Sequence, residues 1–318
     1  MLLAVAGALV RSTIPGGTRS SLPPSGAPAW WVADRDADAA YALDREGILA
    51  IRVPILRPVA VRSTSDGGAW VVRSTTRTAR GERRLVRVRP DGSAIAEIPI
   101  GNHPELAVLD GGDVLVVEDG ERPEDPRRLV RCDQQGDRRL LLEEPGLACA
   151  IGRGDRALVG SRNGDVRRLE VENGTWSGEK IRLGGPILAF AAAGSGSEYV
   201  LYGPEGAHLA RLESDLSIAW SVRCAEGRAG IAATPGGDHA WIADLETQSL
   251  RMFDREGNLA LERLVDGSGE LESWAATGTG GVVLATPGAL LVFDEQANAR
   301  PGQGGFAFVA DVDRIPGR

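Results

Sequence analysis

Three carboxylates, Asp34, Glu118 and Asp244, each close a short apolar run: WVAD, VLVVE and WIAD. Oxygen ligands of this type hold a divalent ion when they converge to about 2.0–2.6 Å from it. When they do not converge, they cap turns by accepting backbone N–H bonds. Equivalent runs end in Arg73, Tyr202 and Thr286, so a shared ion would need acids from well-separated segments. Asp34 to Asp38 (DRDAD) alternates acids as a calcium loop does, but lacks the glycine and distal Glu of one. The motifs GxSxG and HExxH and a glycine-rich phosphate loop are absent, and no cofactor is expected.

Cationic chemistry concentrates in two charged stretches, residues 73–84 (RSTTRTARGERR) and 121–131 (ERPEDPRRLVR). Arg73, Arg77, Arg80, Arg83, Arg84, Arg127 and Arg128 are the candidate binding residues there. A guanidinium makes bidentate contacts to carboxylate or phosphate. The expected partner is therefore a protein or a small anionic ligand; the alternative is a pair of solvated loops. The histidines, His103, His208 and His239, form no pair at matching offsets and are read as structural. Cys132, Cys149 and Cys224 are odd in number, lack a CxxC spacing and lie in or beside apolar runs, so all three are expected to be free.

These residues must be positioned by a repeat. An apolar strand recurs as WVAD from Trp31, WVVR from Trp70, VLVV from Val114 and ALVG from Ala157, then as YVLY from Tyr199, WIAD from Trp241 and VLAT from Val283. The intervals are 39, 44, 43, 42, 42 and 42 residues. After each strand comes a second that ends in an acidic turn, such as YALDREG ending at Gly47 or RMFDREG ending at Gly257. In such a turn the carboxylate bonds the backbone and Gly accepts a positive φ. Degenerate copies end at Leu216 and Ala297.

A run of small apolar residues precedes each Trp-type strand: 58–61, 105–108, 148–151, 187–193, 230–233, 273–276 and 306–310. Small side chains suit strands crowded round an axis, so these are assigned as innermost strands. Trp274 lies on one of them and is the tryptophan expected to meet a ligand. The chain starts with outer strands and ends with an innermost one. Joining them completes one blade from both termini and removes exposed sheet edges. The expected fold is all-β, a seven-bladed β-propeller of four-stranded blades closed by residues 306–310, with a six-bladed ring as the structural rival.

The repeat GAWVVRS…LVRVRPDGSAIAEIPI (68–100) resembles those of the streptogramin-lyase-like and NHL-repeat propellers, through Asp66, Gly67, Trp70, Val88, Asp91 and Gly92. DHAWIAD with MFDREG is a second such copy. The resemblance implies the fold over residues 30–310. It also implies an alternative function, a metal-dependent lyase or a gluconolactonase-like hydrolase, for which Asp34, Glu118 and Asp244 would be the metal candidates. The residues themselves favour a non-enzymatic binding or scaffold propeller, because they offer no paired acid and base.

Composition bounds the rest. The chain has 318 residues, net charge −8 and pI near 5.1, which argues against nucleic acid as a partner. No apolar stretch reaches the about 18 residues of a spanning helix, and a monomer is expected. Residues 1–29 read as an apolar N-terminus and a Pro/Gly/Ser-rich linker, with one propeller domain over 30–318. MLLAVAGALV suits the core of an export signal, which would place the protein in the periplasm or outside the cell. It lacks the basic residues that precede such a core, and the other reading is a frayed apolar tail.

Overall fold

The computed structural model describes residues 27–314, apart from 76–81, 121, 123, 193–196, 205–206, 235, 266–271, 278, 305 and 307. Most of the expected signal and linker, and also Arg77 and Arg80, fall outside the described residues. The described strands form seven four-stranded antiparallel sheets, the blades of a seven-bladed β-propeller. The innermost strands of blades 2 to 7 are Pro58–Ser63, Glu105–Val108, Leu147–Arg153, Ile187–Ala192, Ala229–Ala233 and Ser273–Ala276. Blade 1 combines Val309–Arg314 from the C-terminus with Trp30–Asp34, Ala39–Leu43 and Leu49–Pro54.

The closing strand is thus 309–314 and not 306–310. Phe306 and Phe308 sit before it, Phe306 edge-on to Tyr41 and Phe308 under the Arg35 guanidinium. The strand that pairs with Trp30–Asp34 carries Asp311 and Asp313. A search for small apolar residues passes over it for that reason. In blade 3 the register sets Leu115, rather than Val114, at the repeat position, opposite Ala107 of the innermost strand.

Blades are joined by apolar packing and by one recurrent hydrogen bond. The indole N–H of Trp31 donates to the Gly67 carbonyl of blade 2 at 3.1 Å, and that of Trp70 to the Gly112 carbonyl of blade 3 at 2.9 Å. Tyr199 and Trp241 repeat the contact to Gly237 and Gly280 at 3.0 and 2.8 Å. All four acceptor glycines lie in the first turn of the next blade with positive φ, a conformation that other residues resist. The acidic turns behave as the sequence implies: Asp44 accepts from the N–H groups of Glu46 and Ile48, and Asp254 from those of Glu256 and Asn258. Leu216 and Ala297 take the left-handed conformation that glycine holds in the better copies.

Candidate functional site

The expected metal candidates are each taken up within their own part of the ring. Asp34 accepts N–H bonds from Ala37 and Phe308 at 3.1 and 2.8 Å. Glu118 accepts from Gly101 N–H at 2.7 Å and pairs with Arg128 and Arg138. Asp244 accepts from Glu226, Glu246 and Thr247. Burial opposes the Asp244 charge, but these N–H bonds outweigh it and hold its pKa below the usual carboxylate value. In all three, one bond comes from the segment just before an innermost strand. The carboxylates therefore tie second strands to inter-blade connections. They do not converge on a shared ion, and no group of three His, Cys, Asp or Glu among the described residues is placed to hold one.

The arginines of the long loops are also engaged internally. Arg73 and Arg84 both meet Glu97, Arg84 at 3.5 Å. Arg83 is partly buried, which lowers its pKa. Arg127 donates to the carbonyls of His103, Leu147 and Ala148 at 2.7, 3.1 and 3.0 Å, fastening blade 3 to blade 4, and pairs with Asp119. Asp119 in turn holds His103 Nδ1 at 2.7 Å. His208 stacks on Tyr202, and His239 stands in blade 6 at the start of its second strand. The three cysteines are free and buried; burial pushes the thiols of Cys132 and Cys224 up to about 12.

The axial channel forms a cavity of about 1000 Å³ lined by innermost strands of six of the blades. Its two sides differ. At the ring position opposite the repeat anchor stand Ala107, Gly152, Ala191, Ala232 and Ala275, but Asp313 in blade 1 and Arg62 in blade 2. Two residues earlier the ring reads Ala60, Ala150, Ala189 and Gly230, but Asp311 in blade 1, Glu105 in blade 3 and Ser273 in blade 7. One arc is charged and the other is alanine and glycine.

The charged arc is a network. Asp311 accepts from Arg62 Nη1 at 2.7 Å, from Val61 N–H at 2.8 Å and from the Ser273 hydroxyl. Asp313 accepts from Ser63 N–H at 2.6 Å. An innermost strand is a sheet edge, so its outward N–H groups lack ladder partners. The two acids of the closing strand supply partners to blade 2. Asp311 raises the Arg62 pKa despite burial. Burial raises Asp313 to about 6, against the pull of Arg62. Glu105 is also raised by burial, with Arg62 and Arg127 opposing.

Trp274 crosses from blade 7 onto blade 6. Its indole N–H donates to the Ile231 carbonyl at 3.0 Å, and a Cβ on Gly230 would lie 1.5 Å from the ring. Gly230 is therefore the position at which the ring occupies side-chain space. Of the candidates named from the sequence, Trp274 lines this cavity; Arg62, Glu105, Asp311 and Asp313 line it as well and are not among those candidates. The available signal was charge inside or just after small apolar runs, in PVAVRS, ELAV and VADVDR.

No protein-family model and no curated protein matches the chain. Solved structures do. A streptogramin B lyase superposes with TM-score 0.63 at 14% identity, over 84% of this chain and 92% of that one. A protein provisionally assigned as a 6-phosphogluconolactonase from Bacteroides fragilis gives TM-score 0.67 at 11% identity, over 93% and 99%. A β-propeller domain from Myceliophteria thermophila gives 0.61 at 10% identity, over 82% and 94%. At these identities the likeness is one of fold. The chain has the streptogramin-lyase-like propeller fold, a scaffold that hosts unrelated activities.

Proposed function

We propose that this protein is a non-enzymatic binding propeller whose ligand site is the axial channel. The observation that carries the reading is the two-sided lining: a charged arc from Arg62, Glu105, Asp311 and Asp313 faces an arc built mainly of alanine and glycine, with Leu188, Phe190 and Trp274 beside it and Arg228 and Glu272 at one end. Ligand sites are typically concave and mostly apolar, with a few convergent polar groups, at about 300–1,000 Å³. The long-loop arginines support the reading less well, since those described are paired or buried within the blades.

The test narrows the channel from its apolar side. Ala189→Leu adds bulk there without touching the charged arc. Small organic molecules that bind the native chain in ligand-observed NMR should lose about tenfold or more in affinity on this variant, about 1.4 kcal/mol. Equal binding to both proteins would place the site elsewhere. Metal-dependent turnover of a lactone or ester, abolished by Asp34→Ala or Asp244→Ala, would replace this reading with the enzymatic one.

A further inference from the structure

We infer that the axial ligand is an organic cation, an amine carried on an apolar or aromatic body; the inference rests on the channel being the binding site. It follows from which charges in the channel are already answered. Arg62 is committed: its Nη1 donates to Asp311 and to the Val61 carbonyl. Asp311 is saturated by Arg62, Val61 N–H and the Ser273 hydroxyl. Asp313 accepts backbone bonds from Ser63 and Arg314 and none from a side chain among the described residues. Glu105 receives no hydrogen bond or ion pair among the described residues; Arg62 and Arg127 act on it from longer range, as Arg62 and Arg314 do on Asp313.

The channel thus holds one close ion pair and two further carboxylates on which arginines act only from longer range, in a space with protein walls. Burial holds both Glu105 and Asp313 towards the neutral form, and the longer-range pull of Arg62 does not offset it. A bound ammonium group supplies the missing charge and three donors. Arg228 and Arg314 also line the cavity, at opposite ends of the channel strands: Arg228 shares its end with Glu272 and Glu105, and Arg314 adjoins Asp313, so the acids lining the cavity outnumber the arginines by one.

The rest of the ligand is specified by the opposite arc. Ala189, Gly230 and Ala232 give an apolar wall without protruding side chains. The Trp274 ring, fixed on Gly230 through its bond to the Ile231 carbonyl, offers a flat surface against which an aromatic body or the cation itself packs. This is the opposite charge preference from the one the loop arginines suggest.

The experiment compares three probes of one shape by calorimetry on the full chain at neutral pH: phenethylamine, phenethyl alcohol and 3-phenylpropionate. Phenethylamine should bind about tenfold or more tighter than the alcohol, and 3-phenylpropionate weakest. The isosteric variants Glu105→Gln and Asp313→Asn should each weaken the amine several-fold and leave alcohol binding unchanged, which also shows that the channel remains folded. Equal affinity for amine and alcohol, or preference for the carboxylate, would overturn the cation inference while leaving the channel site standing. Binding of the amine that is indifferent to both variants and to Ala189→Leu would overturn the inference and the channel reading together.

Discussion

The junction between blades 6 and 7 and the junctions that flank the closing blade solve the same problem by different means. At the first, Trp241 donates to the Gly280 carbonyl in the first turn of blade 7. At the junction of blades 7 and 1, the equivalent residue is Val283. Blade 1 has no turn between its innermost and second strands, because its innermost strand comes from the other end of the chain. No glycine carbonyl is available there, so a donor at position 283 would have nothing to reach. Ser273 and Asp311 join the blades instead, and Asp311 and Asp313 carry the connection on to Val61 and Ser63 of blade 2. Charge enters the axis where the repeat is interrupted. From blade 4 to blade 6 the ring positions are alanine and glycine, and Glu105 of blade 3 is the ring charge that stands away from the closure.

Removing the cation from the charged side should break this arrangement most severely. Arg62→Ala leaves Asp311 and Asp313 facing each other's field without a counterion. Loss of one partner from a buried pair typically costs about 3–5 kcal/mol. Arg62 keeps 34% of its side chain accessible to the channel, so water offsets part of the cost and about 2–4 kcal/mol is expected. Denaturant unfolding measures it. A loss below about 1 kcal/mol would mean that the closing strand is held by its ladder alone.

The contrast between these regions also explains what was legible in the sequence. Trp31, Trp70, Tyr199 and Trp241 are visible at regular spacing because one physical role, donation to the next blade, recurs with the same side-chain type. The acidic turns are visible for the same reason, and Leu216 and Ala297 could be placed although the glycine is missing. Asp311 and Asp313 have a role that occurs once, at the closure, so no second copy calibrates them. Their strand was consequently set three residues early, on FAFVA. Arg62 follows one correctly assigned innermost run and Glu105 opens another, but which innermost residues face a common cavity depends on how seven blades are arranged round the axis. Asp34, Glu118 and Asp244 show the converse. Their repeated position was legible as chemistry, yet the repetition reflects a bond to the connecting backbone.

A smaller effect sharpens the comparison through pH. Asp313 has a folded-state pKa of about 6 against an ordinary value of 3.8. Between those values the folded chain binds more protons than the unfolded one. Its contribution to stability is therefore full below about pH 4 and is lost as pH rises through about 6. Two units correspond to about 3 kcal/mol, reduced to about 1–2 kcal/mol because Asp313 borders a solvent-accessible channel. Asp313→Asn should flatten the stability profile between about pH 4 and 6. Asp244, whose pKa is lowered, acts in the other direction and loses its contribution as pH falls below the ordinary carboxylate value. Measuring unfolding free energy across this range in both proteins separates the two. A native profile between about pH 4 and 6 that Asp313→Asn leaves unchanged would show that Asp313 is solvated like a surface group.

The smallest effect expected concerns the rim. Arg73 and Arg84 meet Glu97, which is 40% exposed. They resemble Arg62 in chemistry and differ from it in setting. On the rim, water already solvates each charge and the pair gains little by meeting, typically about 0–1 kcal/mol. In the channel the acids have few alternatives to Arg62. Replacing Arg73 and Arg84 together with Ala should lower stability by less than about 1 kcal/mol. The loss should shrink further in high salt, where the Debye length falls to about 3 Å at 1 M. Arg62→Ala should keep most of its cost in the same salt, because the cavity excludes much of the ionic atmosphere. If both losses are equally salt-sensitive, the channel is electrostatically open. If the rim pair costs as much as Arg62, the long loops contribute to blade closure, and the division between a charged axis and a passive rim is wrong.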